Sequence, residues 1–228
     1  MKAVPQTLES RALKAALAIL PLLLLVSTAG VFLLGARWWG ADGGYAAGFL
    51  FYWLFWCLLV PFALLGKDGM AGLFKERRPL MQRKHWYLIL MLALTGLGAL
   101  VMYFLPALPK FPLLLFLAGA PIAAVNGICE EILWRGVYVR IFPSNWFWGL
   151  LFPSLGFALW HIAPQLIYPA EGGIFSLVIS AFFLGLCYAL AAYRTGSMKW
   201  AGISHSINGI LAFGGAIAPA LLRLLGIL

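Results

Sequence analysis

Glu130 and Glu131 stand side by side in the string GICEEILWRGVY, residues 127–138, inside a run of otherwise lipid-soluble side chains. A carboxylate at membrane depth costs several kcal/mol unless it is paired or faces water or a cavity. Two together need a reason, and Arg135 supplies part of it. On a helix Glu131 and Arg135 are i and i+4, so they face each other and their charges pair. Glu130 is rotated about 100° from Glu131, onto the side that carries Asn126 one turn earlier and Trp134 one turn later. One carboxylate is thus held structurally and the other is offered to a cavity, where it can act as a general base. The plainer alternative is that both brace the bundle as a polar clasp.

Two histidines extend the pattern. His161 lies in GFALWHIAPQ, with Phe157 four residues before it and Gln165 four after, all on one face. His205 lies in GISHSINGI, with Asn208 and Gly209 near its face. A lone intramembrane histidine is commonly a helix–helix hydrogen-bonding residue. Two of them in spans near a buried Glu supply a base, an acid and a donor for a developing oxyanion. Two chemistries fit. In one, Glu130, His161 and His205 ligate zinc, which activates water, although the short H-x-x-x-H pair of common zinc proteases is missing. In the other, Glu130 is itself the base and no cofactor is used. The third histidine, His85, falls in a basic loop and is expected to be solvated.

The chain that must position these groups is 64% hydrophobic and only 10% charged, against about 25% charged in a soluble domain. Apolar runs long enough to cross a bilayer, roughly 20 residues each, recur along it. This predicts an all-α integral membrane protein, a bundle of about seven transmembrane helices around a polar cavity. The spans fall near 12–36, 44–66, 86–107, 112–138, 146–168, 174–193 and 200–225. They form one integrated membrane domain. Residues 1–111 carry about three spans and the basic loop 67–85, and residues 112–228 form the core that holds the polar groups. The first apolar run continues past any small-residue cleavage pattern, so it reads as an uncleaved span.

The net charge of +9 comes with no nucleic-acid motif, and nucleic acid is not an expected partner. Basic residues crowd cytoplasmic loops. With the N-terminus in the cytoplasm, every Lys and Arg except Arg37, Lys110 and Arg223 falls on the inside, as expected for a cell (inner) membrane protein. Loop 67–85 then lies near anionic headgroups, which makes membrane lipid a partner. Trp38, Trp39, Trp86, Trp146, Trp148 and Trp200 sit at expected interfaces as anchors. Cys57, Cys129 and Cys187 lie apart in apolar segments and read as reduced core residues.

The series Glu130-Glu131-x-x-x-Arg135, then Phe157-x-x-x-His161, then His205 followed by an Asn, resembles the CPBP family. That family includes the type II CAAX prenyl proteases and the bacteriocin-processing or immunity proteins of the Abi group. The resemblance spans about residues 112–212 and implies an intramembrane endopeptidase acting on a membrane-associated protein or peptide. It implies that Glu130 activates water together with His161. His205 and a nearby Asn would stabilise the oxyanion, and Glu131 would pair with Arg135. It favours the route without metal. The family's Asn stands four residues after the His, whereas here Gly209 holds that place and Asn208 is the candidate. Depth poses a second condition. With Glu130 near the end of its span, His161 falls level with it only if the chain breaks near Pro153 and 143–152 runs along the interface. The rival readings are a catalytically silent membrane scaffold or immunity protein, and a small proton-coupled transporter. The lack of an inverted repeat and the gathering of polar residues in one place oppose transport.

Overall fold

A computed structural model of the chain describes residues 11–170, 172–224 and 226, without the side chains of Arg11 and Leu221. Lys2 and the Arg11 side chain, which entered the charge reading, lie outside the described residues. No strand occurs among those described. Six continuous helical stretches are long and apolar enough to cross a membrane: α1 (Ala12–Gly72), α2 (Arg83–Ala107), α3 (Leu113–Ile141), α4 (Phe147–Gln165), α5 (Gly173–Thr195) and α6 (Lys199–Leu224). Leu22, Val26, Leu114 and Phe175 stand exposed on their outer faces, a belt of apolar surface that suits lipid and not water.

The first stretch contains two crossings. At 61 residues it is far longer than the roughly 20 a bilayer requires. At Gly40 the backbone turns to φ 76, ψ 173, a region that glycine enters without steric cost. A Cβ on Gly35 would lie 2.9 Å from the Cα of Gly44, yet nine residues of unbroken helix would hold those positions about 13.5 Å apart. Residues 12–39 and 41–65 therefore fold back on each other, with Phe32 against Gly48 and edge-on to Phe49. A second reversal at Gly66, φ 65 and ψ 178, leads into a short helical tail. Counted this way the bundle has seven crossings.

Helix α6 packs along α3 through small residues. Gly119 lies against the backbone of Gly214, and Ala123 faces Gly209. A Cβ on Gly127 would come within 2.7 Å of the Ser206 nitrogen and 3.0 Å of the His205 carbonyl carbon. Small residues allow such close approach of membrane helices, and here the approach sets His205 beside the two glutamates. Gly127→Ala should wedge the helices apart and cost about 1–3 kcal/mol, read as a lower unfolding temperature in detergent. Gly30→Ala, at a position with nothing around it, should leave that temperature unchanged or higher.

The predicted break near Pro153 does not occur. α3 continues ten residues beyond Glu131 to Ile141, wound over Ile132–Val137 as a π-helix. α4 begins with a second π-turn, Phe147–Leu151, and runs through Pro153, which sits at the start of the next α-helical turn where a missing N–H is tolerated. Glu130 lies eleven residues before the end of α3 and His161 fourteen after the start of α4. The difference is about 5 Å along the axes at 1.5 Å per residue. The two levels match because α3 is longer than its hydropathy suggested, so no interfacial segment is needed.

The loop from Leu73 to Gln82 is pinned and not simply solvated. The N–H groups of Arg77 and Arg78 donate to the Thr195 carbonyl, and Ser197 Oγ donates to the Leu73 carbonyl. His85, expected in solvent, is buried, and its ring Nδ1 donates to the Pro79 carbonyl at 3.0 Å. Glu76 accepts from the Leu80 N–H at 2.6 Å and from Lys199 Nζ at 3.2 Å. Burial pushes the Glu76 carboxyl up, but these donors outweigh it and hold the group below its ordinary value of 4.5. A depressed folded-state value adds stability that is present above the ordinary value and is lost as pH falls through the depressed one. Glu76→Gln should therefore lower the unfolding temperature at neutral pH by the equivalent of about 1 kcal/mol or less. The gap to the native chain should close on acidification.

Candidate active site

Glu130 is the penultimate residue of the regular part of α3, two before the π-turn begins at Ile132, and is almost wholly buried. Its carboxylate is held on three sides. Trp160 Nε1, from α4, donates to Oε1 at 2.8 Å. Asn126 Nδ2, one turn earlier, donates to Oε2 at 3.2 Å. His205 Nε2, from α6, lies 3.3 Å from Oε2. Asn126 is itself oriented, because its oxygen accepts from Trp53 Nε1 at 2.8 Å. Tyr52 stacks on the Trp160 ring and its hydroxyl accepts from Trp134 Nε1 at 2.8 Å. The carboxylate is thus wrapped by aromatic rings whose polar edges point at it, at Asn126 or at one another.

Glu131 pairs with Arg135 at 2.8 Å, both fully buried, as i and i+4 residues should. The guanidinium also donates to the Gly185 carbonyl at 3.0 Å and lies over the Phe157 ring at 4.3 Å. The same Glu131 oxygen meets His205 Nδ1 at 2.9 Å. His205 therefore spans both glutamates, one nitrogen to each. A carboxylate only accepts hydrogen bonds, so both contacts are met when one extra proton is held between the ring and the carboxylates. With that proton, two negative charges face Arg135 and an imidazolium, and the buried quartet is electrically neutral. This satisfies the requirement that buried charges be paired.

His161 lies four residues before the end of α4, with its ring edge-on to Phe157. Its Nδ1 lies 2.8 Å from the Phe157 carbonyl. A carbonyl accepts, so Nδ1 carries the proton in the neutral ring and Nε2 keeps its lone pair. His161 makes no direct hydrogen bond or ion pair with Glu130, yet stands within electrostatic reach of Glu130 and His205. Among the described residues, no three His, Cys, Asp or Glu side chains are gathered so as to hold a metal ion.

Asn208 is turned elsewhere. It donates to Tyr188 Oη at 2.6 Å and to Thr95 Oγ1 at 3.1 Å, so both amide hydrogens are used, and its buried oxygen, facing Gly96, has no partner. The face that His205 shares with position 209 is turned toward α3, where a Cβ on Gly209 would lie 3.4 Å from the Ala123 carbonyl oxygen. Position 208 is rotated about 100° from it, toward α2 and α5. Asn208 reaches His205 only through Tyr188, whose ring stacks on the imidazole at 4.9 Å.

A family model described as Type II CAAX prenyl endopeptidase Rce1-like matches residues 86–211, more than half of the chain. The chain belongs to this family. Membership makes it an integral membrane protease of the CAAX endopeptidase kind. The matched region opens at Trp86, three residues into α2, and so includes most of that helix with Thr95, a span in which the sequence offered no motif. No curated protein and no solved structure shows a significant match.

Several residues of the site carried a readable signal. Trp53 and Trp160 lie mid-span, away from the interfaces that suit tryptophan, and a buried indole N–H needs an acceptor. Their depth in the sequence could have pointed to acceptors nearby. Tyr188 and Thr95 offered less, since a hydroxyl within a span is satisfied by its own backbone as readily as by a site.

Proposed function

We propose that this protein hydrolyses a peptide bond with water activated by Glu130, without a metal. The observation that carries this reading is the buried Glu130 carboxylate, fixed by Trp160, Asn126 and His205, with His161 within electrostatic reach of it. A water held between Glu130 and His161 gives a proton to Glu130 as its oxygen bonds the scissile carbonyl carbon, and the carbonyl oxygen takes up the negative charge. Once protonated, Glu130 attracts the His205 Nε2–H less. That N–H can then turn to the oxyanion, where a preset donor has most effect. Glu130 returns its proton to the leaving nitrogen as the C–N bond breaks. Arg135 and Glu131 hold the His205 ring for this swing. Asn208 serves at one remove, by fixing Tyr188 beneath the imidazole.

The family name makes a prenylated C-terminal peptide the first substrate to test, with bacteriocin leaders, signalling peptides and sorting tails after it. The N-terminus is assigned to the cytoplasm of a cell membrane by the distribution of Lys and Arg. The ends of α1, α3 and α5 then share the cytoplasmic side. The test maps new peptide termini across the proteome in membranes carrying the native chain, Glu130→Gln or His161→Ala, each with and without a chelator. Termini that vanish in both variants and survive the chelator establish metal-free hydrolysis and name the substrate. Termini lost to the chelator would favour zinc at Glu130, His161 and His205. Identical maps at matched expression would leave a silent scaffold or immunity role in its place.

A further inference from the structure

Three arginines converge at one edge of the bundle without a counter-ion. Arg77 and Arg78 follow α1, and their backbone N–H groups both donate to the Thr195 carbonyl, at 2.9 and 3.0 Å. The loop is thereby tied to the end of α5. The Arg77 stem lies across Gly196, whose left-handed φ of 70° closes that helix, and a Cβ there would meet Arg77 Cδ at 2.9 Å. Arg140 comes from the last turn of α3, and its guanidinium lies over Gly72, where a Cβ would sit 3.5 Å from Nη2. Gly196 seats the Arg77 stem and Gly72 the Arg140 guanidinium.

Among the described residues, none of the three guanidiniums has a hydrogen-bond or ion-pair partner. Glu76, next in the chain to Arg77, is already engaged by Leu80 and Lys199, and the exposed Asp68 pairs with none of the three. Burial, then the charges of Arg140 and Arg78, push the Arg77 guanidinium below its ordinary value. Like charges held together are repelled, and an anion relieves the repulsion. Guanidinium forks fit phosphate oxygens in a way that point charges do not. The place is the rim where α1, α3 and α5 end and α6 begins, a water boundary of the bundle. Phe74 stands exposed beside it and offers apolar surface to an acyl chain.

We propose that Arg77, Arg78 and Arg140 clamp the headgroup phosphate of an anionic phospholipid. The site stands apart from the peptidase reading and does not depend on it. It joins the loop after α1 to the end of α3, five residues beyond Arg135, so a bound lipid would brace the helix that carries Glu130.

The test uses the full chain in a neutral detergent and native mass spectrometry, with phosphatidylglycerol or phosphatidylcholine added. The native chain should retain phosphatidylglycerol about tenfold more than phosphatidylcholine. Arg77→Gln with Arg140→Gln should remove most of that preference, Arg77→Lys with Arg140→Lys should keep part of it, and Arg37→Gln should keep all of it. Inorganic phosphate at the same concentration should not displace the lipid. As a second reading, phosphatidylglycerol should raise the unfolding temperature of the native chain and not that of the double Gln variant. If the double variant does not fold, Arg77→Gln alone, on an exposed side chain, carries the comparison. Equal retention by native and Gln chains would overturn the proposal, as would full displacement by inorganic phosphate, which would mark a site for soluble phosphate.

Discussion

Glu130→Gln is expected to lower turnover of a cleavable peptide by about 10²–10⁴-fold, the range a positioned general base contributes, while the bundle stays folded. Glutamine preserves the shape of the site. Its oxygen can accept from Trp160 Nε1 as the carboxylate does at 2.8 Å. Its amide can donate to His205 Nε2, leaving the ring's single proton on Nδ1 against Glu131. The quartet then loses one negative charge and one proton together and remains neutral. Only the contact with Asn126 is lost. What disappears is the ability to take a proton from water, so the loss should fall on kcat with KM little changed. Unfolding temperature measured on the same preparations separates chemistry from folding. A variant that unfolds like the native chain and still cleaves at near-native rate would remove Glu130 from the mechanism. His161→Ala should lower kcat too, because it removes the second acceptor for the attacking water.

The parts of this site that are local in the chain were legible in the sequence. The Glu131–Arg135 pair follows from i and i+4 geometry alone, and the turn of Glu130 toward Asn126 follows from 100° per residue. The hairpin near Gly40 was visible as a break between spans in RWWGADGG, residues 37–44, although the helical winding on both sides of it was not. Features that depend on how helices approach were hidden. His205 bridges both glutamates only because Gly119 and Gly127 let α6 lie against α3, and nothing local states which helix meets those glycines. Hydropathy ended the fourth span at 138, since Arg140 and the prolines and polar residues beyond it look like a loop. The π-turn after Glu131 and the burial of Arg135 carry the helix further, and this is why the depth of His161 looked wrong. The Asn208 question turned on one residue of spacing. On a helix that is a rotation of 100°, enough to move an amide from the α3 side to Tyr188 and Thr95.

Removing Arg135 should have the largest effect on stability. Arg135→Met keeps much of the stem against Phe157 but leaves Glu131 buried with only His205 to answer its charge. Breaking a fully buried pair from one side costs about 3–5 kcal/mol, and Glu131→Gln should cost a similar amount by stranding the guanidinium against Gly185 and the Phe157 ring. The combined variant should cost clearly less than the sum, because no unpaired charge then remains. A coupling of about 0.5–3 kcal/mol is usual for contacting groups. Equilibrium unfolding of the four chains in one detergent measures it. The cycle also tests the shared charge, since His205 shares its Glu131 oxygen with Arg135. Without Arg135, His205 alone is left beside both carboxylates. Strictly additive losses would mean that the four side chains do not share their charge as one unit. His205 would then owe its orientation to Tyr188 stacking alone, and the swing of its N–H toward an oxyanion would lose its physical basis.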